Sequence, residues 1–170
     1  MLVGHSYGGS VITDAGADPK VSALVYVAAL QPDAGEASGQ LLSKFAAPND
    51  AMRKATNRAT PEKYFFIPAA RFHETYAADL STADAQFLAD SQQQLAEKAL
   101  GAPVSVAAWR SKPNYAILTT QDHVISPELQ RWMYQRSGAK VTEVAASHAV
   151  FASQPAAVVR VIEAAAKQAD

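Results

Sequence analysis

The 170-residue sequence has no cysteine. That excludes a disulfide framework and a thiolate metal site, and it fits a reducing compartment. There is no block of one charge sign either. Fifteen basic residues against sixteen acidic ones leave a net charge of −1, so neither nucleic acid nor an anionic membrane is an implied partner. No apolar run is long enough to span a bilayer, and Met1 leads directly into a glycine-rich turn without a leader-like stretch. A soluble, cytoplasmic protein is expected. The histidines number four and lack the close helical spacing of a metal pair, so no metal site is expected; no cofactor is implied either. What is abundant is apolar: 49% of residues are hydrophobic, enough for one core and one domain.

The stretch Gly4-His5-Ser6-Tyr7-Gly8-Gly9 organises the rest. It lies between Met1-Leu2-Val3 and the apolar run Ser10-Val11-Ile12-Thr13, and Gly-x-Ser-x-Gly between a strand and a helix is the pattern of a nucleophile elbow. Glycine at Gly4 and Gly8 is expected to relieve a backbone collision in this tight turn, leaving Ser6 in a strained conformation that lifts its hydroxyl above the sheet. The Tyr7 N–H would then stand at a helix N-terminus, where positive potential stabilises an oxyanion.

The strand that feeds the elbow is short. Val21–Ala28 is a nearly continuous apolar run, as in a strand buried on both faces of a parallel sheet. Two further strands are predicted at Asn114–Thr120 and Lys140–Ala146. Helices are expected from Tyr7 to about Ala17, from Pro127 to Ser137 with Ser126 as cap and Gly138 as stop, and from Pro155 to Ala169. Between about 41 and 108 the composition shifts to alanine, glutamine and charge. Ala83–Ala99 reads as one long helix there, with a start signal at Ser81–Asp84, and Leu41–Phe45 as a weaker one.

This pattern resembles the α/β-hydrolase superfamily, in particular small bacterial esterase-like hydrolases and more distantly plant methylesterases and hydroxynitrile lyases. Leu2–Thr13 looks like the family's fifth strand, elbow and helix. Asn114–Pro127 looks like its seventh strand and acid loop, and Lys140–Gln154 like its eighth strand and histidine loop. The resemblance implies a truncated α/β-hydrolase fold of about four parallel strands, with a core at 1–30 and 109–170 and a helical cap inserted at about 31–108. It also implies that the family's first four strands would precede Met1, together with the second oxyanion donor.

A serine hydroxyl needs an imidazole to take its proton, and the imidazole needs an acid to hold one tautomer. The family order Ser, Asp, His implies Ser6, Asp122 and His148, each at the C-terminal end of a predicted strand, where open α/β sheets build their sites. Asp33 also follows a predicted strand and is the alternative acid. His5, Phe66, Phe72 and Val124 are expected to line the substrate pocket, His5 also in a hydrogen-bonding role, while His73 and His123 are read as packing or surface residues. The expected function is hydrolysis of small carboxylic esters through an acyl-enzyme. A hydroxynitrile lyase using the same three groups, or an inert domain that binds a ligand or partner, are the alternatives. A sheet without its first strands would expose the elbow strand at an edge, so self-association, a homodimer in the simplest case, is expected as well.

Overall fold

The computed structural model describes residues 1–45 and 64–168. Four strands, β1 (Leu2–His5), β2 (Leu24–Val27), β5 (Asn114–Thr119) and β6 (Lys140–Val144), form one all-parallel sheet in the order β1-β2-β5-β6. The two inner strands are buried at every position, which is why their sequences are apolar almost throughout. Register pairs Val3 with Val25 and Val25 with Tyr115. Alternation along the strands then divides the core into two layers. Leu24, Tyr26, Ala116 and Leu118 face helices α1 (Gly8–Ala15) and α6 (Pro127–Ser137). Val25, Val27, Tyr115 and Ile117 face α8 (Pro155–Lys167), where they meet Val158, Val161 and Ala165. Full burial of each large apolar side chain contributes about 1.5–3 kcal/mol.

The helix ends follow local chemistry. Ser126 accepts from the Leu129 N–H at 3.1 Å, Pro127 occupies the first turn, and Gly138 closes α6 at φ 65°, a conformation that favours glycine. The last residue of the predicted closing helix, Ala169, lies outside the described residues, as does the part of the predicted cap at 46–63.

Between β2 and β5 the described chain forms α2 (Ser38–Lys44), β3 (Tyr64–Phe65), α3 (Ala69–Tyr76), α4 (Thr82–Ser91), β4 (Leu95–Ala96) and α5 (Glu97–Gly101). The predicted single helix over 83–99 is therefore corrected. It stops at Ser91, because Gln92 turns its amide onto Ile67, accepting from the N–H and donating to the carbonyl, both at 2.8 Å. Leu95 and Ala96 then pair antiparallel with Phe65 and Tyr64. A short α7 (Val150–Ser153) precedes α8. No helix among the described residues is long and apolar enough to cross a membrane.

Candidate active site

Ser6 leaves β1 at φ 55°, in the left-handed region that non-glycine residues rarely occupy. Close packing around it accounts for that cost. A Cβ on Gly4 would stand 2.5 Å from the Gly8 carbonyl oxygen, and one on Gly9 would stand 2.0 Å from the Leu30 carbonyl oxygen. A Cβ on Gly8 would meet nothing within 4 Å. The crowded glycines of the turn are thus Gly4 and Gly9, not Gly4 and Gly8. The Tyr7 N–H, at the mouth of α1, donates to no acceptor among the described residues, as an oxyanion donor must before substrate arrives.

Asp122 follows β5 and is fully buried. One carboxylate oxygen accepts from the N–H groups of Val124 and Ile125 at 2.8 and 2.9 Å. The other accepts from Thr119 Oγ1 at 2.8 Å, Gln130 Nε2 at 3.0 Å and His148 Nδ1 at 2.8 Å. Burial alone would raise this carboxyl, but the charge and hydrogen bond of His148, with the backbone donors, outweigh it and hold it below the usual carboxylate value. An ionised carboxylate only accepts, so the proton sits on His148 Nδ1. That leaves the Nε2 lone pair facing Ser6 Oγ at 2.8 Å. Three side chains from three strand ends are thus joined in series.

His5 Nε2 donates to the His148 carbonyl at 2.9 Å, and its ring packs against His148, Phe151 and Tyr76. Burial, and next the neighbouring His148, pushes its pKa down to about 3, so it stays neutral. A cavity of about 400 Å³ opens on Ser6. His5, Phe66, Phe72 and Val124 all line it, joined by Ile67 and Tyr76 from the same aromatic stretches and by Leu88, Leu95 and Phe151, which the sequence did not single out. The signal for Phe151 was its place three residues after His148, one short turn on.

The other candidates lie elsewhere. Asp33 is engaged by Arg110, whose Nε donates at 2.8 Å and whose hydrogen bond holds the carboxyl below its usual value; the structure does not bring it to His148. His73 Nε2 donates to the Leu80 carbonyl at 2.9 Å and His123 Nδ1 to the Glu74 carbonyl at 3.0 Å. No cluster of three metal-ligating side chains exists among the described residues.

A family model described as the alpha/beta hydrolase family matches residues 1–161. The fold is similar to that of a pyrethroid hydrolase from Sphingobium faniae JZ-2, with a TM-score of 0.78 and 21% identity over 95% of this chain and 68% of that one. It is also similar to polyneuridine aldehyde esterase, with a TM-score of 0.72 and 22% identity over 94% of this chain and 68% of that one. A methylesterase from Arabidopsis gives a TM-score of 0.73 and 18% identity over 98% of this chain and 68% of the other. No curated protein sequence matches the chain.

Proposed function

The chain belongs to the alpha/beta hydrolase family, and from that premise we propose that it hydrolyses small, uncharged carboxylic esters through a Ser6 acyl-enzyme. The observation that carries this reading is the series Asp122–His148–Ser6, with 2.8 Å at each link, opening on an apolar cavity. In this mechanism His148 Nε2 takes the Ser6 proton as Oγ attacks the ester carbonyl, and the Tyr7 N–H donates to the oxyanion. The same proton passes from His148 to the departing alkoxide. Water then attacks the acyl-enzyme with His148 again as base, releasing the acid and restoring Ser6. Asp122 holds the tautomer and stabilises the imidazolium that forms.

The described lining of the cavity contains no carboxylate, lysine or arginine. An ionic substrate would lose its hydration there without gaining a partner, which supports neutral esters. The polyneuridine aldehyde esterase and the methylesterase among the structural relatives are named for ester hydrolysis, which supports the reaction class. In this reading the described residues between β3 and β4 belong to a cap that supplies one wall of the pocket.

Labelling with a fluorophosphonate and hydrolysis of p-nitrophenyl acetate test the proposal together. Wild-type protein should be labelled at Ser6, and Ser6→Ala should lose both labelling and hydrolysis. Asp122→Asn should lower kcat by roughly 10⁴ through the wrong tautomer, while Asp33→Asn should leave kcat within about twofold, as most surface changes do. Hydrolysis that persists unchanged in Ser6→Ala would remove the serine from the mechanism.

A further inference from the structure

The sheet stops short of the histidine it serves. Beyond β6, Ala146 is the last residue tied to the sheet end, its carbonyl accepting from the Gln121 N–H at 3.2 Å. The N–H groups on either side of His148 turn away from the sheet, towards the C-terminal end of α3 and the segment that follows it. Ala149 N–H donates to the Tyr76 carbonyl at 3.0 Å, and Ser147 N–H donates to Asp79 Oδ2 at 3.1 Å. The Ser147 hydroxyl also donates to the Asp79 carboxylate and lies 3.2 Å from the Tyr76 carbonyl. From the other side, His5 holds the His148 carbonyl.

We propose that Asp79 is a positioning residue for His148, fixing through Ser147 the backbone from which the imidazole spans Asp122 and Ser6. This inference rests on reading those three groups as the catalytic ones. Tyr76 contributes its main-chain oxygen, which no substitution removes, and its ring, which packs edge-on against the His148 ring at 4.8 Å; Asp79 is the side chain that binds the donors of Ser147 itself. Partial desolvation would raise its carboxyl, but the hydrogen bonds from Ser147 and Ser153 outweigh it and hold it below the usual value. Near neutrality it is therefore the ionised acceptor that both Ser147 donors require. An imidazole that must meet a partner at each ring nitrogen tolerates little displacement, and misplacement by about 1 Å can cost about a hundredfold in rate. Asp79 itself is exposed, so its loss takes little from the core.

The test compares Asp79→Ala and Asp79→Asn with wild type by steady-state kinetics on p-nitrophenyl acetate, by thermal unfolding, and by the low-field proton resonance of the Asp122–His148 hydrogen bond. Asp79→Ala should lower kcat about tenfold, with KM within about twofold and the unfolding midpoint within about 2 °C of wild type. Its low-field resonance should shift or broaden. Asp79→Asn keeps an acceptor for the Ser147 N–H and should fall between the two. An unchanged kcat and resonance in Asp79→Ala would overturn the proposal, as would a kcat loss with the resonance intact. Should wild type neither label nor hydrolyse, the functional reading fails, while the resonance still decides whether Asp79 positions the ring.

Discussion

His5 stands beside Ser6, yet its ring nitrogen is committed to the His148 carbonyl and its pKa is lowered from 6.5 to about 3. The unfolded chain therefore binds a proton at His5 near pH 6.5, and the folded chain takes none until about pH 3. Between those limits the unfolded state holds more protons, so stability is full above the window and declines as pH falls through it, by up to about 1.4 kcal/mol per pH unit. Asp122, whose folded pKa is depressed, acts in the same direction, its contribution being lost as pH falls through that lowered value. Urea midpoints measured from pH 7 to pH 4 should drop in wild type and drop less in His5→Gln; equal slopes would mean that His5 is not held neutral. Single residues were legible in the sequence to very different degrees. Ser6, Asp122 and His148 stand at strand ends in a fixed order, and strand ends can be read from apolar runs. The bond from His5 to a carbonyl 143 positions away, the crowding at Gly9 and the grip of Asp79 on Ser147 depend on how loops from distant strands meet. No local pattern encodes that.

Among the elements, the inner strands were legible because burial on both faces demands continuous apolar sequence, and α6 because Ser126, Pro127 and Gly138 mark its ends chemically. The segment between β2 and β5 was less so. Gln92-Gln93-Gln94 has good helix propensity, yet α4 ends before it, since the Gln92 amide satisfies both backbone groups of Ile67. This is tertiary structure overriding a weak local preference. The two-residue ladder of β3 and β4 is too short to produce an alternating pattern. The same Gln92 contact gives a prediction for the pocket. Ile67 is nearly buried and lines the cavity, so Gln92→Ala leaves its N–H and carbonyl without their partner, a cost of about 1–3 kcal/mol for each group left desolvated. The wall that Ile67, Phe65 and Leu95 form should loosen while Ser6, His148 and Asp122 stay in place. KM for a neutral aromatic ester is expected to rise about tenfold, equivalent to about 1.4 kcal/mol, with kcat within about twofold. A fall in kcat at constant KM would show that this wall acts on the chemistry instead.

At the scale of the molecule, the sheet has two outer strands. β2 and β5 are covered on both faces, whereas among the described strands β1 pairs only with β2 and β6 only with β5, which leaves one row of backbone N–H and carbonyl groups of β1 open. Val3 shares the face of Val25, where α8 packs on β2 and β5, and it remains 43% exposed; Val11 on α1 is 52% exposed. An open edge flanked by apolar side chains is a template for another strand, and burying its apolar surface yields about 25 cal/mol per Å². We therefore propose that two copies associate through β1. Antiparallel pairing of the two edges about a twofold axis uses the same residues from each copy and closes the assembly. Light scattering over a dilution series should give twice the monomer mass at the upper concentrations and a transition to monomer on dilution. Val3→Lys places a charge on the open edge, a common device against edge pairing, and should move that transition at least about tenfold higher in concentration. Ester hydrolysis per chain, followed on the same samples, should stay constant through the transition, because Ser6, His148, Asp122 and the Tyr7 N–H all come from one copy. A monomer at every concentration would defeat the pairing, and activity that disappears with the dimer would show that the second copy contributes a group to the site.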